Sequence, residues 1–165
     1  MPSWALAAMF WLHLLATVSW IGSLVSIYVL ILPIAGRTLK PADELALMDG
    51  VQKRLEPIAW FSVSVLIVTG LFQMSVNPHY NGFLSTSGQW SLAILSKHIL
   101  VAGLIAVSAI HTWDVLPALR RALMRKERAD PAEVLKLQRR ERLMLRISLI
   151  LAAFILLATA IARAS

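Results

Sequence analysis

Two histidines, His13 and His98, and a lysine, Lys97, stand inside long apolar stretches, where polar side chains are costly to keep. An imidazole in lipid serves as a ligand, a proton carrier or a hydrogen-bonding partner in helix packing. Two imidazoles at one depth, on helices that cross a membrane in the same sense, can clamp an iron from both sides, which is the chemistry of a b-type haem. A softer donor set competes with it. Met9 precedes His13 by four residues on the same helical face, Met74 ends the second apolar stretch, and His79 follows just beyond. Thioether and imidazole together suit Cu(I), although methionine is also a common apolar filler.

These residues need elements to position them. The 165-residue chain is 58% hydrophobic and only 15% charged, whereas about a quarter of the residues in a soluble domain carry charge. Four apolar stretches, residues 5–35, 57–76, 90–119 and 143–162, are each long enough for a hydrocarbon core of about 30 Å. The expected fold is therefore all-α and integral to the membrane: a single domain, 1–165, folded as a four-helix up-and-down bundle. No cationic segment precedes the first stretch, which is too long for a signal-peptide core and reads as a retained span.

Basic residues set the orientation. Arg37, Lys40, Lys53 and Arg54 lie in the first connection and a dense run from Arg120 to Arg142 in the third, while Asn77 to Gln89 carries no charge. Cationic loops stay in the cytoplasm, so both termini are expected outside. The net charge of +7 does not indicate nucleic acid, because the cations flank spans and alternate with Asp43, Glu44, Glu127, Glu133 and Glu141. Attraction to anionic lipid explains them. Asp130-Pro131, with Glu133 following, reads as the start of a helical extension outside the membrane.

Laying His13 on His98 brings Leu32-Pro33 close to Leu116-Pro117 and Arg54-Leu55 close to Arg142-Leu143. The halves then read as parallel two-helix repeats with His13 and His98 as symmetry mates. Counting from the outer ends puts both histidines about 12 Å deep. Diagonal helices in a square bundle are about 11–14 Å apart, a gap that suits two imidazoles and an iron. Ala16 and Thr17 beyond His13, and Ala102 beyond His98, leave room for a macrocycle, and a propionate would pair with Lys97. The competing reading is a hydrogen bond from each histidine to a nearby hydroxyl or carbonyl, with Ser19, Ser62 and Ser96 as partners. Ser19, Gly22, Ser23 and Ser26, with Gly103 and Val107, would allow close helix contact within the bundle or with a second subunit.

His111, thirteen residues beyond His98, has no counterpart in the first span and is placed either to bond Asp114 at the helix end or to handle a proton. The chain has no cysteine, so thiolate metal sites are out. It also lacks a phosphate loop, a metalloprotease histidine pair and an acidic pair within a span, which argues against hydrolase, transferase and ordinary transporter chemistry.

Trp11-Leu12-His13-Leu14-Leu15, Ser19-Trp20-Ile21-Gly22, Thr69-Gly70-Leu71 and Leu95-Ser96-Lys97 resemble the copper resistance protein D family over the first three spans. That resemblance implies a plasma-membrane protein of copper uptake or tolerance, here in a minimal four-span form, with His98 as an addition to the usual pattern. His13, Lys97 and His111 are more loosely similar to HemJ-type protoporphyrinogen oxidases, which would give Lys97 the larger role. The residues alone favour a cytochrome-like protein of the inner membrane that holds one haem b between His13 and His98 and exchanges electrons with a partner protein or a quinone. The alternative is copper handling through Met9, His13, Met74 and His79.

Overall fold

Apolar runs of this length can satisfy their backbone N–H and C=O groups in lipid only by coiling into helices or closing into barrels. The computed structural model, which describes residues 2–78, 82, 86, 88–124 and 131–164, contains helices throughout and no strand among those residues. The first helix, Ser3–Thr38, is α-helical over Ser3–Val25, π-helical over Ser26–Ile31 and α-helical again over Leu32–Thr38. The second is Pro41–Ser75. The third runs as an α-helix over Gln89–Ile110, a π-helical turn over His111–Val115 and an α-helix over Leu116–Met124. The fourth is Pro131–Ala164. Each is long and apolar enough to cross a membrane, so the chain is an all-α, four-span membrane protein.

The second and fourth helices begin well before their apolar stretches, and each opens on a proline, whose missing N–H costs nothing in a first turn. Asp43 and Glu44 in the first turn of the second helix favour its positive end. Asp130, expected to cap the fourth helix, lies outside the described residues.

Contacts between neighbours pair rising with falling residue numbers, so the helices run up and down. His13 meets Thr69 and Gly70, and Trp20 packs with Val63. The third helix packs on the fourth through Leu104, Ala152 and Ile155. The first helix also touches the fourth, with Arg146 Nε donating to the Tyr28 hydroxyl at 3.0 Å.

With lipid outside, burial of apolar surface does not drive helices together, and close packing of small residues must do so. Ala16, Ala93, Ala122, Ala152 and Ala158 are all buried. Gly22, by contrast, is exposed and has open space around it. Trp11, Val18, Phe61, Val68 and Ile99 point outward, where water would make them an aggregation hazard and lipid accommodates them.

Both π-helical turns stand immediately ahead of a Leu-Pro pair, Leu32-Pro33 and Leu116-Pro117. Proline lacks an N–H and its ring clashes with the carbonyl four residues back. For these two prolines that carbonyl belongs to Val29 or Trp113, inside the widened turn. The turn relieves the clash without breaking the helix.

The end of the bundle away from the termini carries the basic extensions and is tied together by polar contacts. Asp49 pairs with Lys53 and with Arg120, Asp114 with Arg140 at 2.8 Å, and Glu44 with Arg142 at 3.5 Å. Gln52 Nε2 donates to Glu141 Oε1 at 2.7 Å, joining the second and fourth helices, and both residues are about 95% buried.

Candidate functional site

In the half of the bundle that carries the termini, His13 turns toward the second helix. Its Nδ1 lies 2.8 Å from Thr69 Oγ1, and that hydroxyl donates to the Val65 carbonyl at 2.6 Å. The hydroxyl proton is thereby committed, so Oγ1 accepts and His13 Nδ1 carries the hydrogen. In the neutral ring this makes Nε2 the nitrogen with a free lone pair. Thr69 is 3% exposed, which holds the pair away from competing water.

Gly70 lets the ring lie close. A Cβ there would stand 3.5 Å from His13 Cε1, so a methyl group would just touch the imidazole and a larger side chain would push it. One turn toward the terminal face, Gln73 Nε2 donates to the Met9 carbonyl at 3.3 Å, and Met74 beside it is buried. Lys97, near the start of the third helix, lies toward the same end of the bundle. Met9, His13, Met74 and Lys97 thus occupy one end of the bundle.

Of the other residues expected from the sequence, His98 follows Lys97 at the same end of the bundle. His98 Nδ1 donates to the carbonyl of Ile94 in its own helix at 2.7 Å. Ala16 is buried in the packing, Thr17 donates its hydroxyl to the His13 carbonyl at 2.7 Å, and Ala102 faces outward. His79 lies outside the described residues. Of the hydroxyls considered as histidine partners, Ser19, Ser62 and Ser96, none bonds His13; its partner is Thr69. The expected bond between His111 and Asp114 is not formed, because Asp114 is exposed and reaches Arg140 of the fourth helix.

No group of three His, Cys, Asp or Glu side chains capable of holding a metal occurs among the described residues. A hard, carboxylate-bound ion is therefore a poor match for this end of the molecule. One imidazole and two methionines at the same end of the bundle are softer donors, of the kind that suit Cu(I). The hydrogen bond to Thr69 is the sort of support that ligating histidines receive through their second nitrogen. Thr69 was within reach of the sequence as the one hydroxyl beside a glycine in the second span, but a single strand of sequence does not say which helix it faces.

No curated protein and no solved structure matches the chain. The family model described as copper resistance protein D matches residues 50–162, from within the second helix to near the end of the fourth, more than half of the chain. The match supports the copper-related expectation and gives none to haem b. With four apolar helices and this match, the chain belongs to the copper resistance protein D family.

Proposed function

We propose that the protein handles copper, accepting Cu(I) in the half of the bundle that carries the termini, with His13 Nε2 as the nitrogen donor and the thioethers of Met9 and Met74 as sulfur donors. The observation that carries this reading is the His13–Thr69–Val65 chain of hydrogen bonds, which fixes the tautomer and leaves Nε2 as the ligand nitrogen. Family membership supports copper as the cargo, and the donor chemistry suits its reduced form. The copper ion is cargo here and needs a site that also releases it, for which few and neutral ligands are appropriate. The excess of Lys and Arg in the first and third connections supports a plasma-membrane orientation with both termini, and so the proposed site, on the outer side.

The test is anaerobic Cu(I) titration of the detergent-purified chain against a chromogenic chelator, with copper and haem quantified on the same sample. One equivalent of Cu(I) per chain, lost in His13→Ala, is the expected result. Unchanged Cu(I) affinity in His13→Ala overturns the assignment. A stoichiometric low-spin b-type spectrum in the protein as isolated, removed by His13→Ala or His98→Ala, overturns it in favour of haem.

A further inference from the structure

A cavity opens in the other half of the bundle, and copper handling makes no use of it. It measures about 670 Å³ with its mouth included and takes walls from all four helices. Trp20, Leu24 and Ile27 come from the first, Glu56, Ala59 and Trp60 from the second, His111 and Thr112 from the third, and Leu145 and Ser148 from the fourth. The exposed lining is mostly apolar with polar groups set into it, the composition of small-molecule sites.

Three features narrow the ligand. Trp60 is stacked on Trp113, with ring centroids 5.1 Å apart and planes 6° from parallel, so one wall is a flat indole held from behind. His111 Nε2 is sealed from solvent and has no hydrogen-bond partner among the described residues, an arrangement that costs free energy unless something else bonds it. The third helix is π-helical from His111 to Val115, a distortion that is frequent at functional sites. No methionine lines the cavity and no three-residue ligand group surrounds it, so a copper ion fits it poorly.

We propose that this cavity binds the ring of a quinone-class molecule drawn from the bilayer, flat against Trp60, with a ring oxygen on His111 Nε2. The imidazole suits both forms of such a ligand: as Nε2–H it donates to a quinone carbonyl, and as the bare nitrogen it accepts from a quinol hydroxyl. The half-buried Glu56 offers a carboxylate to a quinol hydroxyl in the same space. This inference does not depend on copper binding at His13.

The full chain in lipid nanodiscs, titrated with ubiquinone-1 while tryptophan fluorescence is followed, tests it. Saturable quenching is expected, carried by Trp20 and Trp60 and so reduced in Trp60→Phe but not in Trp4→Phe. His111→Ala should weaken binding about tenfold, as expected for a ring oxygen losing its buried partner. Ala59→Phe, which fills the slot, should abolish saturation and keeps the test available if His111→Ala does not fold. Quenching that grows linearly with quinone, as partition into lipid would give, overturns the proposal. So does a dissociation constant unchanged by Ala59→Phe, or loss of a bound Cu(I) equivalent in His111→Ala, which would make the cavity an ion site.

Discussion

The two halves of the bundle treat their buried imidazoles in opposite ways. His13 is bonded through one nitrogen to a hydroxyl whose own proton is already committed, over a glycine that lets the ring lie close. His111 lines a cavity, and its Nε2 meets no hydrogen-bond partner among the described residues. The first arrangement orients one side chain toward a small ligand. The second encloses a space in which an unmet hydrogen-bonding group awaits a larger one. The basic end is also tied by ion pairs and the Gln52–Glu141 bond, which join three helices.

The sharpest way to break this comparison is to remove each histidine in turn. His13→Ala should abolish Cu(I) binding, a loss of more than a hundredfold, while quinone affinity stays within twofold; His111→Ala should weaken quinone binding about tenfold and leave Cu(I) affinity within twofold, both read by titration of the same preparation. If the two variants lose the same ligand, the halves are one site. Next in size is Thr69→Val, which keeps the shape and removes the acceptor for Nδ1–H. Losing such a supporting group costs about 10–100-fold in metal affinity, and Thr69→Ser should restore most of it.

Gln52→Ala probes the tie at the basic end. It leaves the Glu141 carboxylate buried without its donor, which costs about 1–3 kcal/mol, visible as a lower midpoint of thermal unfolding in detergent with Cu(I) affinity unchanged. The smallest effect is expected for Glu44→Gln, whose ion pair with Arg142 is long and partly exposed; less than about 1 kcal/mol should be lost. A large effect there would mean that the rim pairs, not the buried amide, hold that end together.

The spans and the candidate histidine were legible in the sequence because lipid imposes a length and a polarity that hydropathy reads directly. The Leu-Pro pairs marked matching places in the two halves, and the structure puts the same widened turn before each. What the sequence did not disclose is cross-helix register. Thr69 was noticed in a family motif but not as the partner of His13, since nothing along one helix says which residue of another it will face. His98 matched His13 in depth, yet depth does not fix angle, and its ring bonds its own helix. Glu141 read as one of several solvated charges in a connection and is 4% exposed, because the helices continue past the apolar stretches and pack on one another there.

The widened turns ahead of Pro33 and Pro117 also act as rotations. A π turn takes in one residue more than an α turn, so everything beyond it is carried round the axis by about 100°. In the first helix, His13 and Trp20 ahead of the turn pack on the second helix, and Tyr28 within the turn bonds Arg146 of the fourth. The helix keeps both neighbours along its length, so its register on each side of the turn matters to two partners at once. Deleting a single residue such as Val29 would leave the first two-thirds of that helix docked and swing Leu32 and Ala35 away from the contacts that bury them, so the chain's tolerance to length changes should be lowest at two short points in the middle of its straightest elements.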